Sequence, residues 1–216
     1  MKGILNNIRK TVEERIAEAG LSPSEEEIRK YILSGFARNG RPPAPSDIKK
    51  GLRLSSVHIV NRTIEKLERA DILSKKGDEI VSAYPFSATA TSHKVIFEDG
   101  HEVYALCATD ALGIHFMLNK NITIISKCYE CKNEIRIMVK NRSIDSCKPE
   151  KVVEFVGSMK KCGSTAEALC PFINFFCSLE HLKKWREQNL QNDTGEIYSL
   201  SEAMEHGRII FENLLK

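Results

Sequence analysis

Ile4, Ile8, Val12 and Ile16 recur at four-residue spacing, so residues 1–20 predict an amphipathic helix. Ser22-Pro23-Ser24-Glu25 supplies the start signal of a second helix running to about Ala37, with a hydroxyl at the cap and a carboxylate three residues on. The stretch from Asn39 to Pro45 is a turn-rich break. Ser46 is placed to cap a short helix to Leu52, and Ser55 or Ser56 to open another carrying Val57, Val60, Ile64 and Leu67. Asp71-Ile72-Leu73 and Glu79-Ile80-Val81 flank Lys75-Lys76-Gly77-Asp78, the pattern of a two-stranded hairpin. Helices followed by a hairpin outline a winged helix-turn-helix.

The pattern changes at Ala83. Residues 83–93 are rich in Ser, Thr, Ala and Pro and suit a linker. Short strands are expected at His93–Phe97 and Glu102–Leu106 around the Asp99-Gly100 turn, and a buried helix at Thr109–Leu118. Ile122–Lys127 and Glu134–Lys140 suit a strand pair with Cys128-Tyr129-Glu130-Cys131 in the turn, and Val152–Val156 and Pro171–Phe176 suit further strands. Helices at Leu179–Gln188 and Glu202–Leu215 close the chain, the second with a capping box from Ser199 to Glu202. The expected fold is α+β: a winged-helix-like N-terminal domain at 1–82, then a mixed α/β catalytic domain at 83–216 with a small antiparallel sheet.

Composition narrows the class. At 216 residues, 42% hydrophobic and 28% charged, the chain resembles ordinary globular proteins and can bury a real core. Residues 1–80 hold 16 Lys/Arg against 12 Asp/Glu, or +4, and the rest hold 16 against 17, or −1, giving the net +3. That bias is too weak to imply a nucleic-acid partner. Charges every few residues at the N-terminus exclude a signal peptide, and no apolar run approaches the roughly 18 residues of a membrane span. A cytoplasmic location without a membrane partner is therefore expected. There the seven cysteines (107, 128, 131, 147, 162, 170 and 177) stay reduced, and an odd count cannot pair fully. Their confinement to the later part of the chain directs attention to metal or thiolate chemistry there.

Three motifs could carry it. In the run from Tyr104 to Ile114, Cys107 and Asp110 stand three apart at a helix start, on one face. A helix N-terminus favours a thiolate and a carboxylate, while apolar Leu106, Ala111, Leu112 and Ile114 push the Asp110 pKa up, so that it can hold and release a proton. Cys170 precedes an apolar segment from Pro171 to Phe176. By spacing alone a buried structural cysteine is the better reading of each thiol. Cys128-x-x-Cys131 is half of a zinc knuckle, but no second CxxC or CxxH follows and the six histidines form no ligand spacing, so no zinc is expected.

The run Ala83-Tyr84-Pro85-Phe86-Ser87, then His93, then Tyr104–Leu118 resembles the alkylmercury (organomercurial) lyase family, and Cys170 with the strand ending Phe175-Phe176 resembles that family's second motif. The helical N-terminal region is similar to the family's winged-helix-like domain. The resemblance implies that Cys107 and Cys170 bind substrate and mercury product, that Asp110 carries the proton, and that Cys128 is structural. It also implies an organomercurial substrate, no cofactor, and small thiols or a mercuric reductase as mercury acceptor. Pro171 departs from relatives with a second cysteine there, and Cys131, Cys162 and Cys177 add thiols to the pattern.

The chemistry agrees, since mercury(II) is soft and prefers thiolates. Two thiolates push electron density toward carbon, and a nearby acid protonates it. The rival reading is a winged-helix metal-responsive transcriptional regulator, and a further one is a zinc-stabilised module at Cys128 and Cys131. A regulator needs no proton donor, and Glu65 and Glu68 interrupt the basic positions Arg62, Lys66 and Arg69 of its recognition helix.

Overall fold

The structure is a computed structural model that describes residues 10–157, 164–189 and 195–216. Four helices come first: α1 (Val12–Ala19), α2 (Pro23–Asn39), α3 (Pro45–Gly51) and α4 (Val57–Arg69). Ile4 and Ile8 of the first expected helix lie outside the described residues. Capping boxes start α1 at Thr11/Glu14 and α2 at Ser22/Glu25, each closing two backbone donors that helical bonding leaves open. Ser56 caps α4. For α3 the cap residue is Ala44, not Ser46, because Pro45 takes the first helical position, where its missing N–H costs nothing.

Eight antiparallel strands form the main sheet, in the order β1-β2-β3-β5-β4-β6-β7-β8. They are β1 (Leu73–Lys76), β2 (Glu79–Ala83), β3 (Phe86–Ser87), β4 (His93–Phe97), β5 (Glu102–Ala105), β6 (Ile122–Lys127), β7 (Glu134–Lys140) and β8 (Ser143–Lys148). The expected small sheet is thus a large one. The β1–β2 hairpin is no free wing: Ala83 pairs Phe86, and Phe86 pairs Ala105, so it continues into the sheet. Ala83, Tyr84, Phe86 and Ser87, placed above in a linker, are buried.

Between β5 and β6 runs α5 (Ala108–Leu118), buried on every side except its last residue. Its apolar positions show no helical stripe because neighbours cover the whole circumference. A second sheet, β10-β9-β11, joins β9 (Val153–Val156), β10 (Ile173–Phe176) and β11 (Glu196–Ser199). Ahead of β10 come a single turn, α6 (Thr165–Ala168), and a 3-10 turn at Cys170–Phe172, so the strand begins later than Pro171. Then follow α7 (Leu179–Asn189) and α8 (Leu200–Phe211), the latter capped by Ser199 and Glu202.

The α5–α8 contact is unusually close. A Cβ on Gly207 would sit 2.9 Å from the Gly113 amide nitrogen, and one on Gly113 would meet Phe211 at 2.1 Å. Glycine at both positions lets α8 press Phe211 toward the start of α5.

Candidate active site

Cys107 ends the link from β5 and serves as the cap of α5, its Sγ accepting the Asp110 N–H at 3.4 Å. One turn into the helix, the Asp110 carboxyl faces the same way, as three-residue spacing requires. Cys170 arrives from the 3-10 turn before β10 and donates from Sγ to Asp110 Oδ2 at 3.6 Å. The two sulfurs and a carboxylate oxygen lie within 4.8 Å of one another, with Cys107 2%, Asp110 4% and Cys170 5% exposed. The three residues singled out from sequence therefore converge on one point.

Burial governs the protonation states. It pushes Asp110 up to about 7, against hydrogen bonds from the two thiols and the Arg15 charge. It also raises the Cys107 thiol well above its ordinary value, helped by Cys170 and Asp110. The Cys170 thiol is pulled down by its hydrogen bond with Cys107, but burial and the neighbouring carboxyl outweigh this and raise it. A helix start alone predicted lowered thiols; inside this pocket desolvation is the larger effect.

The pocket wall includes residues not singled out from sequence. Thr11, Val12 and Arg15 of the α1 region reach it, with Tyr84, Leu169 and Phe211. Asp71, in a left-handed turn, ties these parts together: it accepts from Arg15 Nη1 at 2.6 Å, Tyr84 Oη at 3.0 Å and Thr165 Oγ1 at 2.7 Å. Tyr84 Oη in turn accepts the Ala166 N–H at 2.7 Å. That network fixes the turn leading to Cys170. Its only trace in the sequence is Tyr84 within the resembling run; the contacts span 13 to 94 residues and leave no local pattern.

Glu154 of β9 belongs to no motif in the sequence. It is 0% exposed, accepts Thr109 Oγ1 at 2.8 Å, and burial followed by the Asp110 charge raises its pKa to about 8. A second cluster contains Cys128, Cys131, Cys177 and His181. Burial resists the Cys128 thiolate, yet N–H groups of Cys131, Cys177 and Glu130, with His181, bring it down to about 6. Cys147 stands apart from both clusters, and Cys162 lies outside the described residues.

Two soft thiols around a buried carboxyl raised to about 7 form a donor set suited to a thiophilic cation, with a group beside it able to hold and release one proton. The model of the alkylmercury lyase family matches residues 86–212, more than half of the chain. The chain belongs to the alkylmercury lyase family. It is 29% identical over 112 residues to an alkylmercury lyase of Bacillus cereus, covering 52% of this chain and 50% of that one. To the alkylmercury lyase of a Staphylococcus epidermidis strain it is 26% identical over 194 residues, 88% of this chain and 84% of the relative. The chain thus spans about half the length of the Bacillus relative and most of the Staphylococcus one. In fold it is similar to the crystal structure of the mercury-bound form of MerB2, with a TM-score of 0.79 and 23% identity over 98% of this chain and 100% of that one. The regulator reading finds no support among these relatives.

Proposed function

We propose that this chain cleaves the carbon–mercury bond of organomercurial compounds by protonolysis, using Cys107, Asp110 and Cys170. The observation that carries the reading is the hydrogen bond from Cys170 Sγ to Asp110 Oδ2, with Cys107 Sγ held on the amide of the same aspartate. A binding-only site needs thiols; a lyase also needs a carboxyl able to accept and return a proton near pH 7, and Asp110 is pushed to about 7.

The first thiol replaces the substrate's exchangeable ligand on mercury, and its proton leaves with that ligand. Next the second thiol binds and passes its proton to Asp110. With both sulfurs donating, the mercury–carbon electron pair moves onto carbon, which takes the proton from Asp110. One hydrocarbon forms, mercury(II) stays on Cys107 and Cys170, and Asp110 is a carboxylate again. No cofactor is required. Small thiols, or a cysteine pair on a mercuric reductase, then exchange onto mercury and restore both cysteines as thiols.

The N-terminal helices and hairpin, winged-helix-like in outline, act here as a cover that keeps water from the pocket through Thr11, Val12 and Arg15. Glu65 and Glu68 on α4 disfavour a nucleic-acid role. No helix among the described residues is long and apolar enough to cross a membrane, and the proposed place of action is the cytoplasm.

The test is benzene release from a phenylmercury salt, followed by gas chromatography. Without added thiol the reaction is expected to stop near about one benzene per chain, the capacity of one thiolate pair, and to run on once cysteine is supplied. No benzene in the presence of thiol would sink the lyase reading. Sustained turnover without thiol would show that mercury is held by fewer protein sulfurs.

A further inference from the structure

The knuckle at Cys128 and Cys131 lacks partners only in the linear sequence. Both residues sit in the turn between β6 and β7, while Cys177 follows β10 and His181 lies in the first turn of α7. Folding brings the four together, with three sulfurs and a ring nitrogen all within 4.8 Å of one another. The absence of zinc expected from ligand count therefore rested on an incomplete set.

We propose that Cys128, Cys131, Cys177 and His181 form a structural zinc site, separate from the lyase pocket. Zinc–sulfur and zinc–nitrogen bonds of about 2.3 and 2.0–2.1 Å give tetrahedral edges of about 3.8 Å between sulfurs and about 3.6 Å between sulfur and nitrogen. Cys131 Sγ and Cys177 Sγ are 3.8 Å apart, and Cys128 Sγ and His181 Nδ1 are 3.6 Å apart. Two opposite edges of the tetrahedron are already at the length the ion imposes. A disulfide would need sulfurs at about 2.05 Å, and these cysteines are free.

The surroundings are built for this. The Cys177 N–H donates to Cys128 Sγ at 3.3 Å, as amides do to metal-bound thiolates. The turn is shaped by Lys132 N–H to Cys128 O at 2.9 Å, with Lys132 at φ 63°, and joined to β10 by Tyr129 N–H to Phe175 O at 3.0 Å. Lys184 on α7 pairs with Glu130 at 2.9 Å, a second link between helix and knuckle. A Cys3His set with no open position is a closed, structural site for zinc. It pins the end of β10, the strand that starts three residues after Cys170.

The test is metal analysis of the full chain purified with thiols reduced and no chelator. About one zinc per chain is expected, retained when Cys107→Ser and Cys170→Ser are combined and lost in His181→Ala. His181→Cys should keep zinc, which separates ligand loss from misfolding. Cobalt(II) added to metal-free protein should give tetrahedral thiolate–cobalt absorption that zinc abolishes. A wild-type chain that takes up no zinc on reconstitution overturns the proposal. So does zinc that depends on Cys107 and Cys170 but survives His181→Ala, or a Cys131–Cys177 disulfide found by mass spectrometry in place of metal.

Discussion

Glu154 offers a measurement of how dry the site is. Its carboxyl is fully buried, Oε1 is held by Thr109, and Oε2 has no hydrogen-bond partner among the described residues. Unfolded, such a group titrates near 4.5; in the fold burial moves it to about 8. Across that interval the native state holds a proton that the unfolded chain has released, so stability is fully present below 4.5 and falls as pH rises, until the folded group also ionises. At about 1.4 kcal/mol per pH unit, ionised Glu154 costs the fold on the order of 5 kcal/mol above pH 8. Glu154→Gln keeps the shape and the acceptor for Thr109 but removes the charge. Asp110 titrates in both proteins, so its contribution largely cancels in the difference. Two pH units of full slope lie between pH 6 and 8, so wild type should lose about 2–3 kcal/mol more than the variant between pH 6 and 9. Urea unfolding at each pH reads this directly. Parallel stability profiles for the two proteins would refute the argument and show that water reaches Glu154.

Cys107→Ser and Cys170→Ser should each abolish benzene release while leaving the unfolding midpoint near that of wild type; release at the normal rate from either would remove that thiol from the chemistry. Asp110→Asn should bind phenylmercury yet turn over roughly 100-fold or more slowly, since an amide cannot carry the proton, and wild-type kcat should rise as pH passes about 7, where Asp110 ionises. A variant that turns over normally, or a flat profile there, would contradict its role. Gly113→Ala places a methyl against Phe211 and should cost about 1–3 kcal/mol by overpacking, with weaker substrate binding because Phe211 lines the pocket. Unchanged stability would mean that α5 and α8 separate freely. Asp71→Ala strands buried Arg15 and frees Thr165, so a loss of about 3 kcal/mol and a slower reaction are expected; a neutral effect would show that the network does not hold the Cys170 turn.

Elements with a strong local signal were legible in the sequence. Capping boxes located α2 and α8, and apolar alternation located β6 and β7 to the residue. Three strands were not visible, each for a physical reason. β8 is an edge strand with no fully buried residue, so its pattern carries no alternation. β3 is two residues long, and β11 has no fully buried position. The Cys107–Asp110 pair was readable because it is local. Its partnership with Cys170 came from the family resemblance, and the network at Asp71 and the Cys3His cluster exist only across long sequence separations.

The thiols show why local reasoning can predict the wrong sign. A helix N-terminus stabilises a thiolate by about 0.3–1 kcal/mol. Full burial can shift a pKa by 3–5 units, about 4–7 kcal/mol, and here it acts on Cys107, Cys170 and Asp110 together. Burial is supplied by segments far apart in sequence, α1, α5, α8 and the turn before β10, so no window of sequence reveals it. The consequence bears on function. At rest both thiols stay protonated and therefore weakly nucleophilic, which protects them from ordinary electrophiles and oxidants. Only a ligand that binds sulfur strongly enough to displace its proton can open the site, and the group with the lowest pKa of the three, Asp110, is the one placed to receive it. In the proposed mechanism a soft organomercurial cation meets that requirement, and the proton it displaces is then beside the carbon that needs it.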